Sequence, residues 1–129
     1  MTTKVLLIED NEQNRYLVTF LLENHGYRVT AAVDGPAGIA AATTQHFDLI
    51  LLDIQLPGMD GYAVARALRA TPYLCVTPIV AVTSYAMTGD RENALAAGCN
   101  GYIEKPINPA TFVAEVSRFL RPAHEEQQP

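Results

Sequence analysis

The most constraining stretch of this chain is the apolar run Leu49-Ile50-Leu51-Leu52, which ends abruptly at Asp53. Four aliphatic residues are too few for a buried helix. A run with no polar alternation marks a strand covered on both faces, as at the centre of a parallel sheet. Pro57-Gly58 and Asp60-Gly61 then break the chain into a loop. Asp53 therefore closes a buried strand at its carboxyl end, the edge of an open α/β sheet where ligands bind.

The rest of the chain supplies matching units. Lys4 to Ile8 reads as a first strand, followed by the acidic turn Glu9-Asp10-Asn11 and a helix from Glu12 to His25. In that helix Tyr16, Leu17, Phe20 and Leu21 recur at helical spacing, and Gly26 stops it. Tyr27 to Ala32 is a second strand, and Asp34-Gly35-Pro36 opens a helix to about Gln45. After the run ending at Asp53, Asp60 caps a helix from Gly61 to Ala70 with apolar positions Val64, Ala65 and Leu68, and Pro72 stops it. Pro78 to Val82 is a fourth strand ending at Thr83-Ser84, and Thr88 caps a helix from Gly89 to Ala97 closed by Gly98. Gly101 to Ile103 is a short fifth strand leading into Glu104-Lys105-Pro106, and Asn108-Pro109 signals a last helix reaching about Leu120. Five β-α units with short connections predict an α/β fold, a doubly wound five-stranded parallel sheet of flavodoxin-like order 2-1-3-4-5. One domain is expected over residues 1–121, with a short polar, frayed tail at 122–129.

Charge narrows the partners. Nine basic against 14 acidic side chains leave a net charge of −5, which argues against nucleic acid and against an anionic membrane surface. No apolar run approaches the roughly 18 residues of a membrane span, and no charged leader opens the chain. A cytoplasmic location and a protein partner are expected. Cys75 and Cys99, with His25, His46 and His124, make no zinc-ligand spacing, and both thiols are expected reduced, in or near the core.

In a parallel sheet all carboxyl ends share one edge, so Glu9, Asp10, Asp53, Thr83 and Lys105 are expected on one rim. Taken singly each has an ordinary explanation as a cap, a strand-end β-former or a solvated charge. Together, clustered carboxylates are tolerable only with positive charge among them, from Lys105 or a divalent cation. An all-oxygen ligand set suits Mg²⁺. Phosphoryl transfer needs these parts at once: an attacking carboxylate, a metal and a lysine against charge on the equatorial oxygens, and a hydroxyl donor.

Glu9-Asp10-Asn11, Asp53 with Leu56-Pro57-Gly58-Met59-Asp60-Gly61, Val82-Thr83-Ser84 and Lys105-Pro106 closely resemble the receiver (CheY-like) domain of two-component response regulators, over Lys4 to about Leu120. Around Asp10-Asn11-Glu12-Gln13-Asn14 and Ala86-Met87-Thr88-Gly89-Asp90 the chain is most similar to stand-alone receivers of the DivK type and to receivers carried by hybrid kinases. The resemblance implies that Asp53 accepts a phosphoryl group from a histidine kinase or phosphotransfer protein. Asp10, Asp53 and the Gln55 carbonyl would bind Mg²⁺, with Glu9, one methylene longer than the Asp of many receivers, holding a metal-bound water. Lys105 would pair with a phosphoryl oxygen, presented by a cis peptide to Pro106. Thr83 would close onto the phosphoryl group and Tyr102 swing inward behind it, a switch changing the face of the fourth helix, fifth strand and fifth helix. Gln55 and Tyr85 would flank the route of attacking water and tune the lifetime of the phosphoryl group. No output domain follows the last helix, so output is expected through protein binding or onward phosphoryl transfer.

Three other classes compete. Haloacid-dehalogenase phosphatases also use a strand-end Asp, a hydroxyl, a Lys and Mg²⁺, but they carry a second Asp where this chain has Gln55, and their nucleophile lies on the first strand. A pseudo-receiver typically lacks a pocket residue, whereas all five are here. A flavodoxin needs a phosphate-cradling loop where this chain has acids. With p-nitrophenyl phosphate and Mg²⁺ the chain is expected to show no sustained turnover; continuous release of nitrophenol would favour the phosphatase.

Overall fold

The computed structural model describes residues 2–84 and 90–120. The elements alternate as β1 (Lys4–Ile8), α1 (Glu12–Glu23), β2 (Arg28–Ala32), α2 (Gly35–Thr44), β3 (Leu49–Asp53) and α3 (Gly61–Arg69). A single 3₁₀ turn, Pro72–Leu74, precedes β4 (Ile79–Thr83), α4 (Asp90–Ala96), β5 (Gly101–Glu104) and α5 (Phe112–Ser117). All strand pairs are parallel and the sheet order is β2-β1-β3-β4-β5, the order expected of a five-unit doubly wound fold.

Burial explains the strand sequences. Every residue of β3 and β4 is buried, as is β1 after Lys4, whereas the edge strands β2 and β5 are mostly half-exposed. The side-chain period of two divides the central strands between two cores. Leu6, Ile8, Ile50, Leu52, Ile79 and Ala81 pack on one face with Val64, Ala65 and Leu68 of α3 and Ala94 of α4. Val5, Leu7, Leu49, Leu51, Val80 and Val82 pack on the other with Val18 and Leu22 of α1 and Phe112 and Val116 of α5.

The capping expectations hold for the first three helices. Asn11, Asp34 and Asp60 each accept a hydrogen bond from a backbone N–H three residues on, at 2.8 to 2.9 Å. Thr88 and Gly89 lie outside the described residues. Two elements differ from the sequence expectation. On α1 the buried residues are Val18 and Leu22, with Leu17 and Leu21 partly covered, while Tyr16 is 72% exposed and Phe20 52%. These two rings stack on each other instead, centroids 6.3 Å apart. The helix carries apolar residues around more than one stripe, so spacing alone did not say which stripe faces the sheet. At the chain's other end, Asn108-Pro109 forms a turn before the helix rather than its first residues: Asn108 Oδ1 accepts from the Ala110 N–H at 3.0 Å, and its carbonyl accepts from Thr111 and Phe112. The helix then begins at Phe112 with Thr111 as its cap, and ends in tight turns after Ser117. The thiols also differ from expectation: Cys99 is buried, and burial pushes its pKa up to about 11, but Cys75 is exposed just past the 3₁₀ turn.

Two contacts fix the lower and upper halves of the β3–α3 unit. Arg69, at the end of α3, donates to the carbonyls of Gly98, Leu74 and Thr77 and to Asn100 Oδ1, at 2.6 to 2.8 Å. At the other end of α3, Gly61 lies against the end of β3, and a Cβ there would come within 2.5 Å of Ile54 Cα and 2.7 Å of the Asp53 carbonyl oxygen. Backbone cannot give way as a side-chain tip can. Gly61→Ala is therefore expected to lower stability by roughly 1–3 kcal/mol, read as a lower urea midpoint with an unchanged m-value.

Candidate active site at the carboxyl edge of the sheet

Adjacent strand ends assemble the site. β1 and β3 run in register through Ile8 and Leu52, so the residues that follow, Glu9 and Asp53, emerge side by side. Asp53 is opposite Val82, one residue before Thr83, and Thr83 is opposite Glu104, one residue before Lys105. The sequence-predicted set Glu9, Asp10, Asp53, Thr83 and Lys105 thus meets on one rim. Glu9, Asp53 and Thr83 are each only 2% exposed, while Asp10 is open to solvent.

Charge compensation comes from one lysine. Lys105 Nζ lies 3.2 Å from Glu9 Oε1 and 3.2 Å from Asp53 Oδ1, and its bond to Pro106 is cis. Asp53 Oδ1 also accepts the Gln55 N–H at 3.0 Å, and Glu9 Oε2 accepts the Asn11 N–H at 3.1 Å. Burial, followed by hydrogen bonding to Asp53 and the charge of Asp53, raises the Glu9 pKa from an ordinary 4.5 to about 7; the Asn11 N–H and Lys105 oppose this. One carboxyl of the cluster is thus readily protonated near neutrality.

One carboxylate oxygen from each of Glu9, Asp10 and Asp53 can be chosen so that all lie within 4.8 Å of one another. Hard oxygen donors at that spacing, two of them buried, fit a small divalent cation, and it is the acidic cluster typical of a receiver's Mg²⁺ site. Gln55 stands just beyond Asp53, its side chain turned to Ser84. Tyr102 is half-buried on β5, with the Arg91 guanidinium 6.0 Å from its ring centroid. Tyr85 lies outside the described residues.

Two contacts were not legible in the sequence. Arg15, one turn into α1, donates from one guanidinium nitrogen to the carbonyls of Glu9 at 3.1 Å and Asp10 at 2.9 Å, tying the acidic turn to the helix. Ser84 contacts Gln55 across the rim. An arginine within the first turns after an acidic pair was the only available signal, and it is a weak one.

A parallel sheet whose carboxyl edge gathers three acids, a hydroxyl residue and a bridging lysine fits the phosphoacceptor switch that the receiver family defines. The chain belongs to the response regulator receiver domain family, whose family model matches residues 5–117. It is 39% identical over 93% of its length to the polar-differentiation response regulator DivK of Brucella ovis, covering 98% of that protein, and 38% identical to DivK of Brucella anthropi at the same coverage. Among solved structures it resembles the chemotaxis protein CheY4 of Vibrio cholerae, with a TM-score of 0.89 and 32% identity over 93% of this chain and all of that one. It also resembles the receiver domain of the sensor histidine kinase PA1611 from Pseudomonas aeruginosa, solved with a magnesium ion coordinated in its active site cleft. There the TM-score is 0.84 and the identity 39%, over 92% of this chain and 98% of that one.

The raised Glu9 pKa has a consequence in chelator. A carboxyl with a folded pKa above its unfolded value contributes stability that is full below about 4.5 and is lost as pH rises through about 7. Asp53 and Lys105 face this carboxyl, and Asp10 adjoins it. The difference in unfolding free energy between the parent and Glu9→Gln, from urea titrations in EDTA, should therefore fall across this window. A flat or rising difference would contradict the assigned shift.

Proposed function

We propose that Asp53 is the phosphoacceptor, taking a phosphoryl group from a histidine kinase or histidine phosphotransfer protein. A histidine kinase partner follows from receiver membership itself. The observation that carries the site assignment is Asp53 itself: a buried carboxylate, 3.2 Å from Lys105 Nζ and grouped with the Glu9 and Asp10 carboxylates. An Asp53 oxygen attacks the phosphorus of a phosphohistidine, the P–N bond breaks, and the imidazole leaves with the electron pair. The product is an acyl phosphate on Asp53.

Mg²⁺ would be held by Asp10, Asp53 and the backbone carbonyl of Gln55, with Glu9 through water, and when bound it neutralises charge on the phosphoryl oxygens. Lys105 is near enough to Asp53 to follow a phosphoryl oxygen attached to it. The Thr83 hydroxyl, at the next strand end, donates to another oxygen, and Tyr102, one strand further, is the ring that follows Thr83 inward. The changed surface is the face of α4, β5 and α5, read by a downstream protein or used in onward transfer. The reading assigns residues 1–121 to the receiver and 122–129 to a tail. The reading places the chain's action in the cytoplasm; no helix of the described residues is long and apolar enough to cross a membrane.

Acetyl phosphate with Mg²⁺ should add one phosphoryl group, visible by intact mass, and both EDTA and Asp53→Asn should prevent it; labelling of the mutant would defeat the assignment. Lys105→Ala should slow labelling roughly 100-fold, as loss of a charge-stabilising donor does. Its Mg²⁺ affinity should be unchanged or tighter, because a competing cation has gone. Weakened Mg²⁺ binding in that variant would show that the lysine builds the metal site instead.

A further inference from the structure

The three carboxylates of the cluster are not held alike. Asp53 takes the Gln55 N–H and the Lys105 ammonium, and Glu9 takes the Asn11 N–H and the same ammonium. The Asp10 carboxylate has neither a hydrogen bond nor an ion pair among the described residues and is open to solvent. Its placement is set through its backbone instead. Arg15 Nη1 donates to the Glu9 carbonyl at 3.1 Å and to the Asp10 carbonyl at 2.9 Å. Those carbonyls belong to the peptide units before and after the Asp10 Cα, and the orientations of these two planes are the φ and ψ of Asp10. One nitrogen thus fixes the direction in which the Asp10 side chain leaves the backbone. The N–H of the second unit, from Asn11, is bound to Glu9 Oε2, so that plane is held at both edges. A cation in the first turn of a helix opposes the helix dipole, so the stability of α1 does not account for Arg15.

Resting on the assignment of Asp10 as a Mg²⁺ ligand, we propose that Arg15 is a positioning residue that preorganises the metal site by locking the Asp10 backbone. The demands of the ion make this matter. Mg²⁺ requires near-ideal octahedral geometry at short bonds, whereas Ca²⁺ accepts longer and less regular ones. A carboxylate free to turn about its own backbone must be ordered at the moment of binding, and the entropy lost there weakens the complex. With Arg15 in place that ordering is completed on folding. The charge of Arg15 acts in the opposite direction. A guanidinium repels a divalent cation, so removing its charge alone would tighten Mg²⁺ and Ca²⁺ alike. Lost placement and lost charge therefore move the Mg²⁺ affinity of the same variant in opposite directions.

Isothermal titration of the full chain, stripped with EDTA and dialysed, measures the Mg²⁺ and Ca²⁺ affinities. Arg15→Met should weaken Mg²⁺ about ten-fold, the lower end of what loss of a ligand's supporting contact does, and Ca²⁺ by less than about three-fold. Arg15→Lys, whose ammonium can donate to both carbonyls, should stay within about three-fold of the parent. In an Asp10→Ala background Arg15→Met should leave the remaining Mg²⁺ affinity unchanged or tighter, because the ligand that Arg15 places is gone. Unchanged or tighter Mg²⁺ binding in Arg15→Met, equal losses for the two ions, a Lys variant as weak as the Met variant, or the same ten-fold loss without Asp10 would overturn the proposal. Should Arg15→Met not fold, as read by far-UV circular dichroism, Arg15→Gln, shorter and uncharged, carries the same expectations. If Asp10→Ala alone leaves Mg²⁺ affinity at the parent value, the ligand assignment fails and this proposal with it; if Asp10→Ala weakens Mg²⁺ and Arg15→Met does not, the role of Arg15 alone is refuted.

Discussion

Everything at the carboxyl edge depends on keeping two nearly inaccessible carboxylates beside a third and compensating them with one ammonium group. Glu9 and Asp53 are 2% exposed and share Lys105 at 3.2 Å each. Burying charge is unfavourable unless it is paired, and removing the pairing cation leaves the full desolvation cost in place. Such a cluster is a poor device for stability and a good one for function. It attracts a divalent cation, and it holds a carboxylate at the point where a phosphoryl group can be received.

The architecture around the cluster serves to keep these groups in place. Two opposed apolar cores clamp the central strands, so the strand ends that carry Glu9, Asp53 and Thr83 start from rigid positions. Gly61 lets the first turn of α3 lie directly against the end of β3, and Arg15 gathers the carbonyls of the acidic turn. The loop side is held differently. Gln55 and Ser84 meet through polar contacts at the solvent edge, which exchange partners at far lower cost than packed apolar side chains do. A firmly held carboxylate bordered by exchangeable polar contacts suits a phosphoryl-dependent switch.

Much of this was legible before any coordinates. An unbroken apolar run predicted a doubly covered strand, and β3 is buried from end to end. Val64, Ala65 and Leu68 form a single narrow stripe, and they are the residues α3 buries, together with Gly61. Where a helix was apolar on several sides the reading placed the element but only part of its covered face, Leu17 and Leu21. On α1, Tyr16 and Phe20 have the right spacing, yet the sheet takes Val18 and Leu22 and leaves the two rings to stack in solvent. Cys75 illustrates a similar limit: composition favours burial of a thiol, but the 3₁₀ turn before it leaves it exposed.

The sequence by itself determined the order of elements, the parallel sheet and the identity of the five rim residues, because strand burial, caps and loop breakers are local properties of consecutive side chains. It also carried the family resemblance, since motif order survives without coordinates. Only the tertiary structure decided the pairings across the rim: Lys105 bridging Glu9 and Asp53, Arg15 holding the acidic turn, and Ser84 taking the Gln55 amide oxygen. The physical reason is distance along the chain. Gln55 and Ser84 are 29 residues apart, and the choice between two ends of an amide is made by the partner that the neighbouring strand delivers.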